Sequence, residues 1–257
     1  MPTFLTFALV APVASFGALA VGERRPDWNR PARSAILGLV GACLGVERDD
    51  DEGQAALAAQ YGVAVLCYTP GRLLADYHTI QVPPSGRNRR YQTRAAELAA
   101  TDLATILTRR DYRTGAWHLG GLWARVEAPR WSLEDIAAAM RLPSFTPSLG
   151  RKSCPLGLPL APFLVDTVDP ATALALRHQT GPERAFHEAL ADTPREIVIA
   201  RDVWDGPGAP NEAAARIRRT EFRRDQPRSR RQWQFDLRHE VIEALPAAGD
   251  TTAGDPK

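Results

Sequence analysis

The sequence predicts an α+β protein centred on a ferredoxin-like (RRM-like) domain, with a smaller β-rich part after it. Two observations point there. Hydrophobic periodicity alternates between the two-residue repeat of strands and the longer repeat of helices, in the order strand, helix, strand, strand, helix, strand. The 257 residues suffice for one elaborated domain or two small ones, and 44% hydrophobic with 24% charged residues is near the average for globular chains.

Thr3 to Ala11 alternates, placing Leu5, Phe7 and Leu9 on one face, as a half-buried strand requires. After a loop with Gly22, Pro26 and Pro31, residues 33–45 read as an apolar helix. Gly38 and Gly41 within it are each worse than Ala by roughly 1 kcal/mol, which suits a helix lying close against a sheet or another backbone. Gly45 marks its stop. Asp49 to Gly53 is an acidic turn, Gln54 to Gln60 a short helix and Val63 to Tyr68 the second strand. A long polar excursion follows, from Asp76 to Gly115, with Pro83, Pro84 and Gly86 and the basic positions Arg87, Arg89, Arg90, Arg94 and Arg109. Such a stretch inside a compact domain is usually functional or flexible.

Trp117 to Glu127 resumes strand alternation. Ser132 caps a helix running to Met140, with Glu134 and Asp135 near its positive end. Pro143 to Pro159 is a loop around Ser148 to Pro155. Farther on, Ile197–Ala200 and Gln232–Leu237 read as strands flanking an Arg-dense stretch. The expected division is residues 1–165 for the first domain with its excursion at about 76–116, 166–245 for the β-rich extension, and a disordered tail over 246–257.

Net charge is only +2, so totals alone do not indicate nucleic acid. The basic side is nevertheless unusual: 30 Arg stand against two Lys, Lys152 and Lys257. Arg grips phosphate through a planar fork of donors, although a GC-rich genome explains most of this bias. Cys43, Cys67 and Cys154 are far apart and form no CxxC pair, which argues against a metal site or a disulfide framework and fits a reducing cytoplasm. Residues 1–22 carry no charge, but they lack the positive leader of a secretory signal, and Pro12 and Gly17 interrupt them. Neither a membrane partner nor a cofactor is expected.

Several groups have the composition of an RNA contact. Gly150-Arg151-Lys152-Ser153 offers a glycine that lets backbone amides approach phosphate beside two adjacent cations; a solvated turn is the plain alternative. Arg33 and Ser34 open the first helix, where exposed amides and the dipole favour an anion, or where Ser34 simply caps. Arg87, Arg89, Arg90 and Arg94 interleave with Tyr91, the pattern that lets bases stack while phosphates are paired. Eight Arg crowd positions 216–231, where attraction to phosphate would be strong and salt-sensitive; a disordered basic loop is the plain alternative.

Three segments together carry a resemblance. Pro31-Ala32-Arg33-Ser34-Ala35 opening a Gly-rich helix, Asp76-Tyr77-His78-Thr79, and Leu149-Gly150-Arg151-Lys152-Ser153-Cys154-Pro155 are similar, in order and spacing, to motifs of the Cas-five family of type I-E CRISPR Cascade subunits, within the RAMP superfamily. Ala32 and Ala35 stand where the family has Thr and Gly. The likeness covers roughly the first 165 residues, then rests on Ala200-Arg201-Asp202 and Arg230 to Trp233. It implies an antiviral-defence subunit that caps the 5′ handle of the guide RNA (crRNA) without catalysis. A long hairpin thumb would protrude from Asp76, and partners would be the backbone repeat subunits, the large subunit and, through the complex, target DNA. It also implies RNA contact at Arg33, Ser34, Tyr77, His78, Arg87, Arg89, Arg90, Arg109, Gly150, Arg151, Lys152 and Ser153. The alternative is the type I-C role, a metal-independent endoribonuclease that processes precursor crRNA, for which His78, Tyr112 and His118 are the side chains to consider.

Overall fold

The computed structural model describes residues 1–20, 22–83, 90–190, 196–204, 206 and 216–245. The expected tail over 246–257, and with it Arg87 and Arg89, lie outside them.

The first strand, β1 (Thr3–Val10), is an interior strand of a sheet and is buried on both faces rather than one. Leu5, Phe7 and Leu9 face one helical layer while Phe4 and Ala8 face another, so the polar alternation expected of a half-buried strand is absent. Two short strands, β2 (Val13–Ala14) and β3 (Arg24–Arg25), precede helix α1 (Arg33–Leu44), which Gly45 ends in left-handed backbone. Helix α2 (Asp51–Gln60), capped by Asp50 accepting from the Gly53 amide, leads directly into β4 (Tyr61–Thr69).

The polar excursion is an antiparallel hairpin of β5 (Arg72–Val82) and β6 (Ala104–Thr114), paired from Arg72–Thr114 out to Val82–Ala104, with the short helix α3 (Arg94–Leu98) in its connection. β2 and β3 pair with β6, forming a second, small sheet. The chain returns through β7 (Trp117–Ala124) and α4 (Leu133–Arg141). As the sequence indicates, α4 starts at Ser132, whose Oγ accepts from the Asp135 amide at 3.0 Å while the Asp135 carboxylate accepts from the Ser132 amide at 3.1 Å.

β8 (Phe163–Asp166), α5 (Pro170–Thr180), α6 (Arg184–Leu190), β9 (Val198–Arg201), β10 (Ile217–Ser229) and β11 (Gln234–Ala244) complete the chain. The main sheet runs β10-β11-β9-β4-β7-β1-β8, and each neighbouring pair is antiparallel. The C-terminal strands therefore extend the sheet begun by the N-terminal ones. Ile36, Val40, Leu57, Ile136 and Met140 from α1, α2 and α4 cover one face of this sheet. Leu174 of α5 covers the other with Leu66, Leu119, Trp123 and Ile199. No helix among the described residues is long and apolar enough to cross a membrane.

The Arg-dense stretch is not a basic loop. It is the strand β10 and the turn after it, and part of it is interior. Arg223 is buried against Asp225 and Glu240, Arg30 bridges Glu221 and Glu240, and Arg201 meets Glu243 at 2.6 Å. Apart from Arg223–Asp225, these pairs join positions well separated in sequence, and the guanidinium groups share in compensating the buried carboxylates of Asp225, Glu240 and Glu243.

Candidate nucleic-acid interface

A groove of about 780 Å³ opens between the 15–20 segment, the start of α1, the Gly150–Arg151 loop and the β10–β11 turn. Arg25, Arg151, Arg224, Arg228 and Arg230 line it together with the rings of Trp28, Trp233 and Phe235. Asp225 and Asp236 are its acidic side chains among the lining residues. Asp225 is already engaged: its carboxylate accepts from Arg238 Nε at 2.6 Å and from the Arg33 amide at 2.8 Å. Burial pushes the Asp225 carboxyl up, but the bonds and charge of Arg238, helped by Arg223, outweigh it and hold the group below the usual carboxylate range.

The Gly150 loop is built by closure on itself and on the strand beneath. The Leu149 amide donates to Cys154 O at 2.9 Å, the Ser15 amide donates to Leu149 O at 3.0 Å, and Cys154 is buried. Gly150 has φ +93°, and a Cβ there would fall 1.6 Å from Ser15 O, so no other residue fits. Arg151 lies over the Tyr112 ring at 4.5 Å and donates from Nη1 to Asp111 O at 3.3 Å. Lys152 and Ser153 are exposed beside it.

Ser34 joins this site. It lines the groove, and its carbonyl accepts from Arg230. It is not the cap of α1, since the N-cap position is Ala32 and has no side-chain bond. Arg33 does not join. Its side chain is 1% exposed, with Nε donating to Asp202 at 2.9 Å and Nη2 to the carbonyls of Ala58 and Tyr61. The expectation that Arg33 offers its fork to a phosphate is therefore corrected: the fork holds α1 to β4 and to the end of β9. The Arg33 amide at the start of α1 donates to the chain's own Asp225, an internal carboxylate and not a phosphate.

Tyr77, His78 and Arg109 lie on the hairpin rather than in the groove. Tyr77 is exposed and pairs in register with Arg109, and His78 Nε2 lies 2.5 Å from Asp76. Arg109 Nε donates to the buried Asp111 at 2.8 Å, and Arg24 Nη2 reaches the same carboxylate at 3.0 Å. Since Arg151 bonds the carbonyl of Asp111, Arg109 and Arg24 continue the line of cations from the groove onto the hairpin base. Arg90 is exposed in the connection at the hairpin's far end, with Tyr91 half-exposed next to it.

The sequence reading missed Trp28, Arg48 and the convergence of Trp233 with Arg230. Their only local signal is an aromatic near arginines, which occurs at several places in this chain. Gly38 is a further signal: a Cβ there would lie 2.6 Å from Arg230 Nη2, in the space the guanidinium now takes.

Chemically, the groove can neutralise phosphates and stack rings. His118 is a core histidine: this side chain is fully buried with its ring edge-on to Phe16, and neither nitrogen is bonded, so it offers no proton transfer to the groove. Burial pushes its pKa down to about 3, so it stays neutral in the core. Among the described residues no three His, Cys, Asp or Glu side chains gather as a metal-binding group.

Residues 4–241 match the family described as CRISPR-associated protein (Cas_Cas5). The chain is 33% identical over 182 residues to the CRISPR system Cascade subunit CasD of Escherichia coli (strain K12), a match covering 68% of this chain and 76% of that one. Its fold resembles a chain of a CRISPR RNA-guided surveillance complex with a TM-score of 0.62 and 22% identity, covering 95% of this chain and 90% of the other. A crystal structure of a Cas protein aligns with a TM-score of 0.55 at 22% identity, over 95% of each chain.

Proposed function

Since the chain belongs to the Cas5 family of CRISPR-associated proteins, we propose that it is a non-catalytic subunit of a Cascade surveillance complex and holds the 5′ handle of the crRNA in the groove beside Arg151. The observation that carries this reading is the convergence of Arg25, Arg151, Arg228 and Arg230 with Trp28 and Trp233 around one groove. Cations there neutralise a phosphodiester chain without reading bases, and the rings offer surfaces to bases that are not paired.

The body reads as a ferredoxin-like domain of residues 1–165, supported by the strand order β4-β7-β1-β8 with α1 and α4 in the two crossovers. The β5–β6 hairpin between β4 and β7 is the thumb, and residues 166–245 form the extension that widens the sheet. Leu73, Leu74, Ile80, Ile106 and Leu107 are exposed along the hairpin, as an element that packs among backbone subunits requires. Target DNA and the large subunit would be met through the assembled complex. Three buried, unpaired cysteines fit the reducing cytoplasm where such a complex works.

The processing-nuclease alternative would have to use His78 and Tyr112, which sit on the hairpin with Asp76 and under Arg151 respectively. A denaturing gel of labelled cognate repeat RNA, incubated with purified protein in a chelator, separates the two roles. Intact RNA that is retained in a parallel binding assay is the expected result. A discrete cut overturns the capping role.

A further inference from the structure

Resting on the RNA reading of the groove, we propose that Trp233 is a stacking platform for one unpaired base of the bound RNA, the point at which the groove engages a base rather than the backbone. Its conformation is the first observation. Trp233 occupies the β10–β11 turn with φ +57°, left-handed backbone that a bulky side chain rarely adopts. Such outliers persist only where their surroundings hold them, and they concentrate at ligand sites.

The second observation is an exposed ring held in place. Trp233 is 60% exposed, yet the Arg48 guanidinium lies 4.8 Å from its ring centroid, that of Arg230 5.8 Å, and Phe235 meets it edge-on at 5.4 Å. Those partners are themselves tied down. Arg48 Nε donates to Arg230 O at 3.1 Å, Arg230 donates to Ser34 O, and the Trp233 amide closes the turn onto Arg230 O at 3.3 Å. A ring already fixed by its neighbours loses little freedom when a ligand stacks on it.

The third observation is the company the ring keeps. It shares the groove with Arg151, Arg228 and Arg230, and Arg231 is exposed beside it in the same turn. An apolar protein partner would have to bury these charges along with the indole. Single-stranded RNA pairs them with phosphates while presenting a flat base to the ring. The stacked group is therefore a nucleobase, and a purine, having the larger face, stacks better than a pyrimidine.

The test uses the purified full chain and 5′-handle RNA in which each nucleotide in turn is made abasic, with affinities measured at several salt concentrations. In the unaltered protein, one abasic position weakens binding about tenfold. In Trp233→Ala, affinity for intact RNA falls by about the same factor, that position loses its effect, and the salt slope is unchanged. Trp233→Phe, which keeps a stacking face, retains the position-specific effect in smaller measure and guards against misreading a folding defect. If Trp233→Ala and the unaltered protein give the same abasic profile while Arg151→Ala still weakens binding, the platform is refuted and the RNA groove stands. If the unaltered protein binds no RNA, or Arg151→Ala and Arg228→Ala leave binding unchanged, the groove reading falls and the platform with it.

Discussion

Arg230 lies directly over Gly38: its Nη2 occupies the space 2.6 Å from where a Cβ on that helix would stand, and it donates to Ser34 O one turn away. The missing Cβ leaves room for the Arg230 guanidinium, which reaches in from the β10–β11 turn to the helix.

Gly38→Ala should therefore separate folding from binding. Ala adds roughly 1 kcal/mol of helix propensity, and displacing Arg230 from Ser34 O removes a bond contributing about 1 kcal/mol. Urea unfolding should show a net stability change within about 1 kcal/mol. Affinity for handle RNA should fall several-fold in a filter-binding assay, because Arg230 and the ring beside it shift.

Arg33→Ala should behave in the opposite way. Asp202, buried, also meets Arg125 and Arg238 at 3.1 Å, so it keeps part of its compensation, yet it loses the partner at 2.9 Å and two carbonyls lose their donor. Denaturant unfolding should register a loss of about 3 kcal/mol or more. RNA affinity per folded molecule should stay unchanged. A selective loss of RNA binding with normal stability would return Arg33 to the interface.

His118 makes stability fall with acid. Its folded pKa, about 3, lies below its ordinary 6.5, so below 6.5 the unfolded chain takes up a proton that the folded one refuses. The contribution falls by about 1.4 kcal/mol per pH unit from 6.5 down to about 3. His178, whose pKa is lowered by burial and then by His187, acts in the same direction. Asp27, raised by burial to about 6 from its ordinary 3.8, acts in the opposite direction between those values. Because the other groups are common to both proteins, His118→Leu isolates the term: the variant should be more stable by about 1–3 kcal/mol at pH 7, having no unbonded ring nitrogens to bury. Thermal melts across pH 7 to 4 should show the gap widening in acid.

Gly150→Ala places a Cβ against Ser15 O in a left-handed backbone. The loop must shift, so we expect lost stability of about 1–3 kcal/mol and weakened RNA binding together. Retention of both would mean that the loop moves freely and does not hold Arg151 in place.

Arg151→Ala with Lys152→Ala should weaken binding across RNA sequences and flatten its dependence on salt, by a slope of about 0.7 for each phosphate released from a single strand. Binding with an unaltered salt slope would place the loop outside the RNA path.

The order of elements was legible because it depends on local signals. Ser132 and Asp135 are three residues apart and cap α4 through each other, Gly45 stops α1, and the β4-to-β7 interval was too long and too polar to be a simple turn. Arginine roles were not legible. Arg33 at a helix start and Arg151 after a glycine look alike as phosphate ligands. Arg33 meets Asp202 across 169 residues of sequence and is buried, whereas Arg151 stays part-exposed over Tyr112. The second burial of β1 was equally hidden, since it needs α5 to fold back over the sheet.

The alternation of strands and helices, the cap of α4, the stop of α1 and the three family motifs are written in local sequence. Each is set by residues within a few positions of one another, through backbone preference and periodicity. Which arginines line the open groove and which close the core is settled by long-range packing, because a guanidinium takes its role from whichever carboxylate the fold brings to it. The same folding set Arg48 over the Trp233 ring that lines the groove, and the neighbouring Arg230 over Gly38.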